Sequence, residues 1–99
     1  MDLLKRCQNL YAELRDVSER LSGVEEELDS DEISMQYREE LYRYEFELAL
    51  QMSGCFEDLM YCLDKLEKEE ESMRFYATRI RRNAAELIKV ENIDVDQNV

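Results

Sequence analysis

Three thiols and two blocks of carboxylates are the groupings in this sequence that could do chemistry. Cys55 and Cys62 stand seven residues apart, so on a helix they share a face, and Cys7 lies far upstream. Zinc takes four ligands, usually from Cys-x-x-Cys pairs and histidines; the chain has neither that spacing nor any histidine. Small buried hydrophobes are the preferred reading of all three thiols, and a redox switch through Cys55 and Cys62 is the lesser one. Three cysteines without dense spacing also suit free thiols in a reducing cytosol. Lack of histidine removes the commonest general base. No glycine-rich phosphate loop, Gly-x-Ser-x-Gly elbow or nucleophile–base pair can be assembled by spacing. The stretch Asp29-Ser30-Asp31 with Glu40 has the outline of a calcium loop, yet Ile33 and Ser34 fall where an oxygen ligand and a glycine are required. The chain is therefore expected to be no enzyme and to hold no metal or cofactor.

The carboxylates carry more weight. Residues 25–72 hold 17 acidic against four basic side chains, a net of −13, within a chain of net charge −12. They concentrate in two blocks: Glu25, Glu26, Glu27, Asp29, Asp31 and Glu32, then Glu67, Glu69, Glu70 and Glu71. One reading is a solvated helix surface that confers solubility. The other is imitation of a polyanion, in which carboxylates spaced on a rigid rod occupy a basic groove made for nucleic acid, driven by the same counterion release. Aromatic and methionine side chains could then insert where bases would stack. Direct contact with nucleic acid or an anionic membrane is disfavoured by repulsion. The one basic segment, 73–90, carries Arg74, Arg79, Arg81, Arg82 and Lys89 against Glu86. Its spacing makes no single strong stripe, and pairing with the acidic face of a second copy is the preferred use.

These side chains need a scaffold, and the composition points to helices. The 99 residues contain no proline and two glycines, and 38% are charged, while the 44% apolar fraction argues against disorder. No run approaches a membrane span, and "MDLLKRCQNL" lacks the apolar stretch of a signal peptide, so a cytoplasmic location is expected. Leu3, Cys7, Leu10, Leu14, Val17, Leu21, Val24 and Leu28 alternate steps of four and three, a heptad seam that predicts a helix over 2–28. "LDSDEIS" is the turn signal, placed at 29–31, with Asp29 or Ser30 as cap of the next helix. A second seam runs through Tyr37, Leu41, Tyr44, Leu48, Met52, Cys55, Leu59, Cys62, Leu66, Met73, Tyr76, Ile80 and Leu87, with one stutter at 48–52. It predicts a long helix over about 32–90 and a frayed tail at 91–99.

Ser53 and Gly54 interrupt the chemistry of that seam but not its phase. A continuous helix through Gly54 is the preferred reading, and a hairpin at 53–54 is the alternative. A parallel stripe, Tyr42, Phe46, Ala49, Ser53, Phe56, Met60 and Leu63, widens the apolar sector beyond what one neighbour can cover, and the small Ser53 and Gly54 would let another backbone approach. At 1.5 Å per residue the long helix would span roughly 90 Å and the first about 40 Å. Folded back, the first would end beside residue 57, leaving Leu59, Cys62, Leu63, Leu66, Met73, Tyr76 and Ile80 uncovered. Together with Leu48, Met52, Cys55 and Phe56 they form the expected core of an antiparallel or crossed homodimer.

The stretch "CFEDLMYCLDKLEKEEESMRFYATRIRR", residues 55–82, resembles the middle of small acidic helical proteins from siphovirus early-gene modules, which serve recombination or act against the host. The residues that carry the likeness are Glu57, Leu63, Leu66, Glu67, Glu69 and Glu71, then Ile80 and Arg82. The cysteines and the aromatic-rich "YREELYRYEF" depart from it. The resemblance implies a phage context and no functional residues.

The sequence thus predicts an all-α fold of one domain: a helical hairpin with one long helix and coiled-coil packing. The expected function is a non-enzymatic inhibitor or adaptor that binds a basic protein, such as a nucleic-acid enzyme of a bacterial host, through its acidic surface. The alternative is a structural coiled-coil module whose task is self-assembly.

Overall fold

The computed structural model describes residues 2–90. Three α-helices account for nearly all of them: α1 (Leu3–Leu28), α2 (Met35–Glu69) and α3 (Arg74–Val90), with a single 3-10 turn at Glu71–Met73. The fold is all-α, as the periodicity predicts. The tail expected to fray, 91–99, lies outside the described residues.

Helix α1 starts where Asp2 accepts a hydrogen bond from the Leu4 amide, filling one of the amide valences a helix start leaves open. Its seam is the one in the sequence: Cys7, Leu10, Leu14, Leu21 and Val24 are buried, with Leu3, Val17 and Leu28 packed at the edges. Ser18 is buried beside them, one position off the expected register.

The turn is longer than the 29–31 expected. Ser34, not Asp29 or Ser30, caps α2, its hydroxyl accepting from the Tyr37 amide at 3.1 Å. Ser30 instead stabilises the turn itself by accepting from the Glu32 amide. The Arg38 guanidinium reaches back to the Leu28 carbonyl at 2.7 Å and the Ser30 carbonyl at 2.9 Å. It thereby satisfies acceptors that the end of α1 leaves open and sets a cation at the negative end of the helix dipole.

Helix α2 runs 35 residues without a break, straight through Gly54. The expected continuity holds, and within the chain itself Gly54 packs against nothing. Both Ser53 and Gly54 are exposed, and a Cβ built on Gly54 meets nothing within 4 Å.

The long helix ends at Glu69, so the expected single helix over 32–90 is two helices with a corner at Glu70, where the backbone turns extended (φ −135°, ψ 93°). The cause lies in the acidic block. Glu67, Glu69, Glu70 and Glu71 crowd the negative end of the α2 dipole, where carboxylates destabilise further winding. The same charge is favourable past the corner, where Glu71 sits in the first turn of the next helical segment.

After the corner α3 folds back along α2 and also packs on α1. Its inward face is Ala77, Ala84 and Ile88, with Met73, Ile80 and Leu87 at the margin. Tyr76, expected on the seam, is 50% exposed. Two alanines seven apart, both fully buried, let α3 sit close in the groove between two helices, where a tyrosine would hold it off. The molecule is 53 Å long, matching the length of α2. One half is a three-helix bundle built on the start of α1, the end of α2 and α3. The other half is a two-helix hairpin ending in the acidic turn.

Candidate protein-binding surfaces

The back-fold of α3 changes the meaning of the residues expected to form a dimer core. Leu48, Met52, Leu59, Cys62, Leu63 and Leu66 are buried within the single chain. Cys55, Phe56, Met73 and Ile80 are half-buried against that core, and only Tyr76 of the set is open. The face beyond residue 57 is therefore covered by the chain's own third helix. It gives no reason for a second copy.

The thiols sit in the same seam. Cys55 Sγ donates to the Leu10 carbonyl at 3.2 Å, and Cys62 Sγ accepts from Arg6 Nε at 3.3 Å. Burial pushes the Cys7 thiol above its ordinary value, the nearby Cys62 adds to the rise, and Arg6 offsets part of it. Burial also raises Cys55, helped by the Glu13 and Asp58 carboxylates. A thiol raised in this way is a poor nucleophile, which favours packing over a redox role at Cys55, one member of the pair in the redox reading. Among the described residues no group of three or more cysteines and carboxylates is placed to hold a metal ion.

The two acidic blocks lie at opposite poles. Glu25, Glu26, Glu27, Asp29, Asp31 and Glu32 are all exposed around the turn that joins α1 to α2. Their backbone is fixed by the Arg38, Ser30 and Ser34 contacts, and the Tyr37 hydroxyl donates to Glu27 at 2.6 Å. That bond to a carboxylate, with the charge behind it, raises the Tyr37 phenol above its usual value. At the other pole Glu69, Glu70 and Glu71 are exposed at the α2–α3 corner. Glu67 is not part of a free acidic surface. It is half-buried and paired with Arg81, which also holds Asp64 at 2.9 Å. With α2 between them, the poles stand about 50 Å apart, so they are two separate surfaces and not one continuous polyanion.

Arg81 is thus spent inside the chain, clamping α3 to α2, where the sequence suggested pairing between copies. The outer face of α3 keeps its cations: Arg79 and Arg82 line a shallow groove with Phe75 and Thr78. The sequence already sets aromatics among these arginines in "RFYATRIRR", and Phe75, Thr78, Arg79 and Arg82 stand three, four and seven apart, one helix face; what the structure adds is that this face points away from the core. A second shallow groove, between α1 and α2, carries Glu13, Asp16 and Asp58 with Cys55, and there Asp16 is paired with Arg20 at 3.2 Å.

No known protein family, no curated protein and no solved structure matches this chain. No helix among the described residues is long and apolar enough to cross a membrane.

Proposed function

We propose that this protein is a non-enzymatic adaptor or inhibitor that binds a basic protein surface through the acidic turn between α1 and α2. The observation behind this reading is the turn itself: six exposed carboxylates on a backbone held by Arg38, Ser30 and Ser34. Charges on an ordered support lose less freedom on binding than charges on a disordered tail, so more of their attraction is kept as affinity. Carboxylates at a fixed spacing can stand in for phosphates in a groove lined by lysine and arginine, and the bound counterions are released in the same way. The partner that fits best is therefore a nucleic-acid enzyme, and the likeness of residues 55–82 to siphovirus early-gene proteins suggests a bacterial host as its source. A net charge of −12 keeps nucleic acid itself and anionic membranes away.

Purified protein used as bait in bacterial lysate tests the reading with a four-fold neutral variant, E26Q/D29N/D31N/E32Q, and with E69Q/E70Q/E71Q as the control from the other pole. Capture of a basic protein is expected to fall with the first variant, to fall as salt rises, and to be displaced by duplex DNA. Capture indifferent to both the turn variant and salt sinks the reading.

A second reading, a self-assembly module with no inhibitory role, draws on a different feature, the exposed Tyr42, Phe46 and Leu50 on α2. It predicts that the turn variant keeps full activity.

A further inference from the structure

Phe56, Met60 and Leu63, in the half of α2 that belongs to the three-helix bundle, are half-buried or buried. The same stripe continues toward the start of α2 through Ser53, Ala49, Phe46 and Tyr42, past the point where α3 ends at Val90. There the cover stops. Tyr42 is 52% exposed, Phe46 64% and Leu50 59%, and Met35 at the head of the helix is exposed as well. Three large apolar side chains exposed together on one helical face are what an unoccupied interface looks like.

We infer that a second copy of this chain occupies this face, with the two α2 helices antiparallel and crossing at Phe46. The sequence register supports that choice over a parallel pair. About a two-fold axis at Phe46, Tyr42 of one copy meets Leu50 of the other, Glu39 meets Ser53 and Met35 meets Glu57; the like charges this register brings near each other are Glu45 and Glu47, which flank Phe46 at the edges of the contact and not on the apolar face. A parallel pair would set Glu39 on Glu39 and Glu57 on Glu57. Antiparallel pairing also carries each acidic turn toward the C-terminal half of the other copy's α3, where Arg82 and Lys89 are exposed. Those are cations of the chain's one basic segment, and they lie in no ion pair with a described carboxylate. The closed two-fold contact uses the same patch on both copies and leaves no open edge for further growth. The face from Met35 to Glu57 is about 33 Å long, ample for a helix–helix contact.

This dimer differs from the one the sequence suggested. It is centred on residues 42–50, and it leaves the α3 side of the core inside each chain. Its apolar centre at Phe46 lies well inside α2, away from the acidic turn proposed to bind a partner, so Phe46→Glu tests the dimer alone, although the turn's carboxylates also face the other copy's Arg82 and Lys89.

The test is the mass of the full chain in solution across the micromolar range. The expected result is twice the 11.9 kDa chain mass. Phe46→Glu, an exposed position, is expected to keep its helical circular dichroism and to weaken dimerisation at least about thirtyfold. Arg82→Glu with Lys89→Glu should weaken it about tenfold at low salt and less at high salt. Direction is read by cross-linking: Phe46→Cys should give an oxidised interchain dimer and Met35→Cys should not, whereas a parallel pair would link both. A wild-type chain at monomer mass throughout overturns the inference. So does a Phe46→Glu chain that stays dimeric. If the wild type is monomeric and I93D/V95D then makes it dimerise, the occupant is the chain's own C-terminal segment.

Discussion

The two halves of this molecule solve the same problem with different resources. In the three-helix half every heptad layer has a third neighbour, so Leu59, Leu63 and Leu66 are closed off completely. In the hairpin half the corresponding stripe on α2 meets no third helix, and Tyr42, Phe46 and Leu50 face outward. The sequence pattern of α2 is nearly uniform along its length. What differs is the chain's supply of cover. A helix of 17 residues reaches about half of α2, and the other half depends on the turn contacts and on whatever else docks there.

The largest expected effect separates the halves directly. Leu63→Ala removes a fully buried side chain from the three-helix half and leaves a cavity that rigid neighbours cannot refill, so it should cost about 3–5 kcal/mol. Leu41→Ala, buried near the open end of the hairpin, should cost nearer 2 kcal/mol because the site can collapse or admit water. Denaturant titration of both variants measures the difference. Equal costs would mean that the hairpin half is as well enclosed as the bundle half, as a tight dimer would make it; repeating the pair in the Phe46→Glu background decides that.

A smaller effect compares the two arginines that hold the two corners. Arg38 binds carbonyl oxygens of the turn, while Arg81 binds the carboxylates of Asp64 and Glu67. Arg38→Ala leaves helix-end acceptors without a partner and is expected to cost about 1–2 kcal/mol, with little change in salt. Arg81→Ala breaks a half-exposed charge pair worth up to about 1 kcal/mol, and its cost should shrink as salt rises. Hydrogen exchange should locate the loosening at 29–34 in the first variant and at the α2–α3 corner in the second. Gly54→Ala, near the junction of the halves, should instead stabilise by about 0.5–1 kcal/mol, since its Cβ enters open space on a helix.

How much of this contrast can be read from the sequence depends on which residue bears the signal. The α1 seam and the run of α2 through Gly54 are legible because large aliphatics keep their phase across the weak residue. The corner at Glu70 is hidden by the same device: the stripe resumes at Met73 in nearly the expected register, and only Glu69 on the seam and the crowded carboxylates around it betray the break. The inner face of α3 is written in Ala77 and Ala84, which score weakly in any apolar pattern yet are the residues that permit close approach. Phe75 and Tyr76 score strongly and lie outside. The acidic turn is plain from composition, whereas the loss of Glu67 to Arg81 follows only from the back-fold.

The smallest effect uses pH to set the seam against the turn. Cys7 and Cys55, in the seam between α1 and α2, and Tyr37, at the turn, all have their acid forms favoured by folding. For a group whose folded pKa lies above its unfolded value, the folded chain holds the proton longer, so stability is intact below the unfolded value and declines as pH rises through the folded one. The thiols begin from 9.0 and the phenol from 10.0. Thermal midpoints should therefore be flat through neutral pH, start to fall above about 9 as the seam thiols are forced to ionise, and fall further above about 10 as Tyr37 loses its bond to Glu27. Cys7→Ser with Cys55→Ser should remove the first step and keep the second, and Tyr37→Phe should do the reverse. A single step common to all three proteins would mean that the two regions melt as one unit and that neither corner contact tunes its own half.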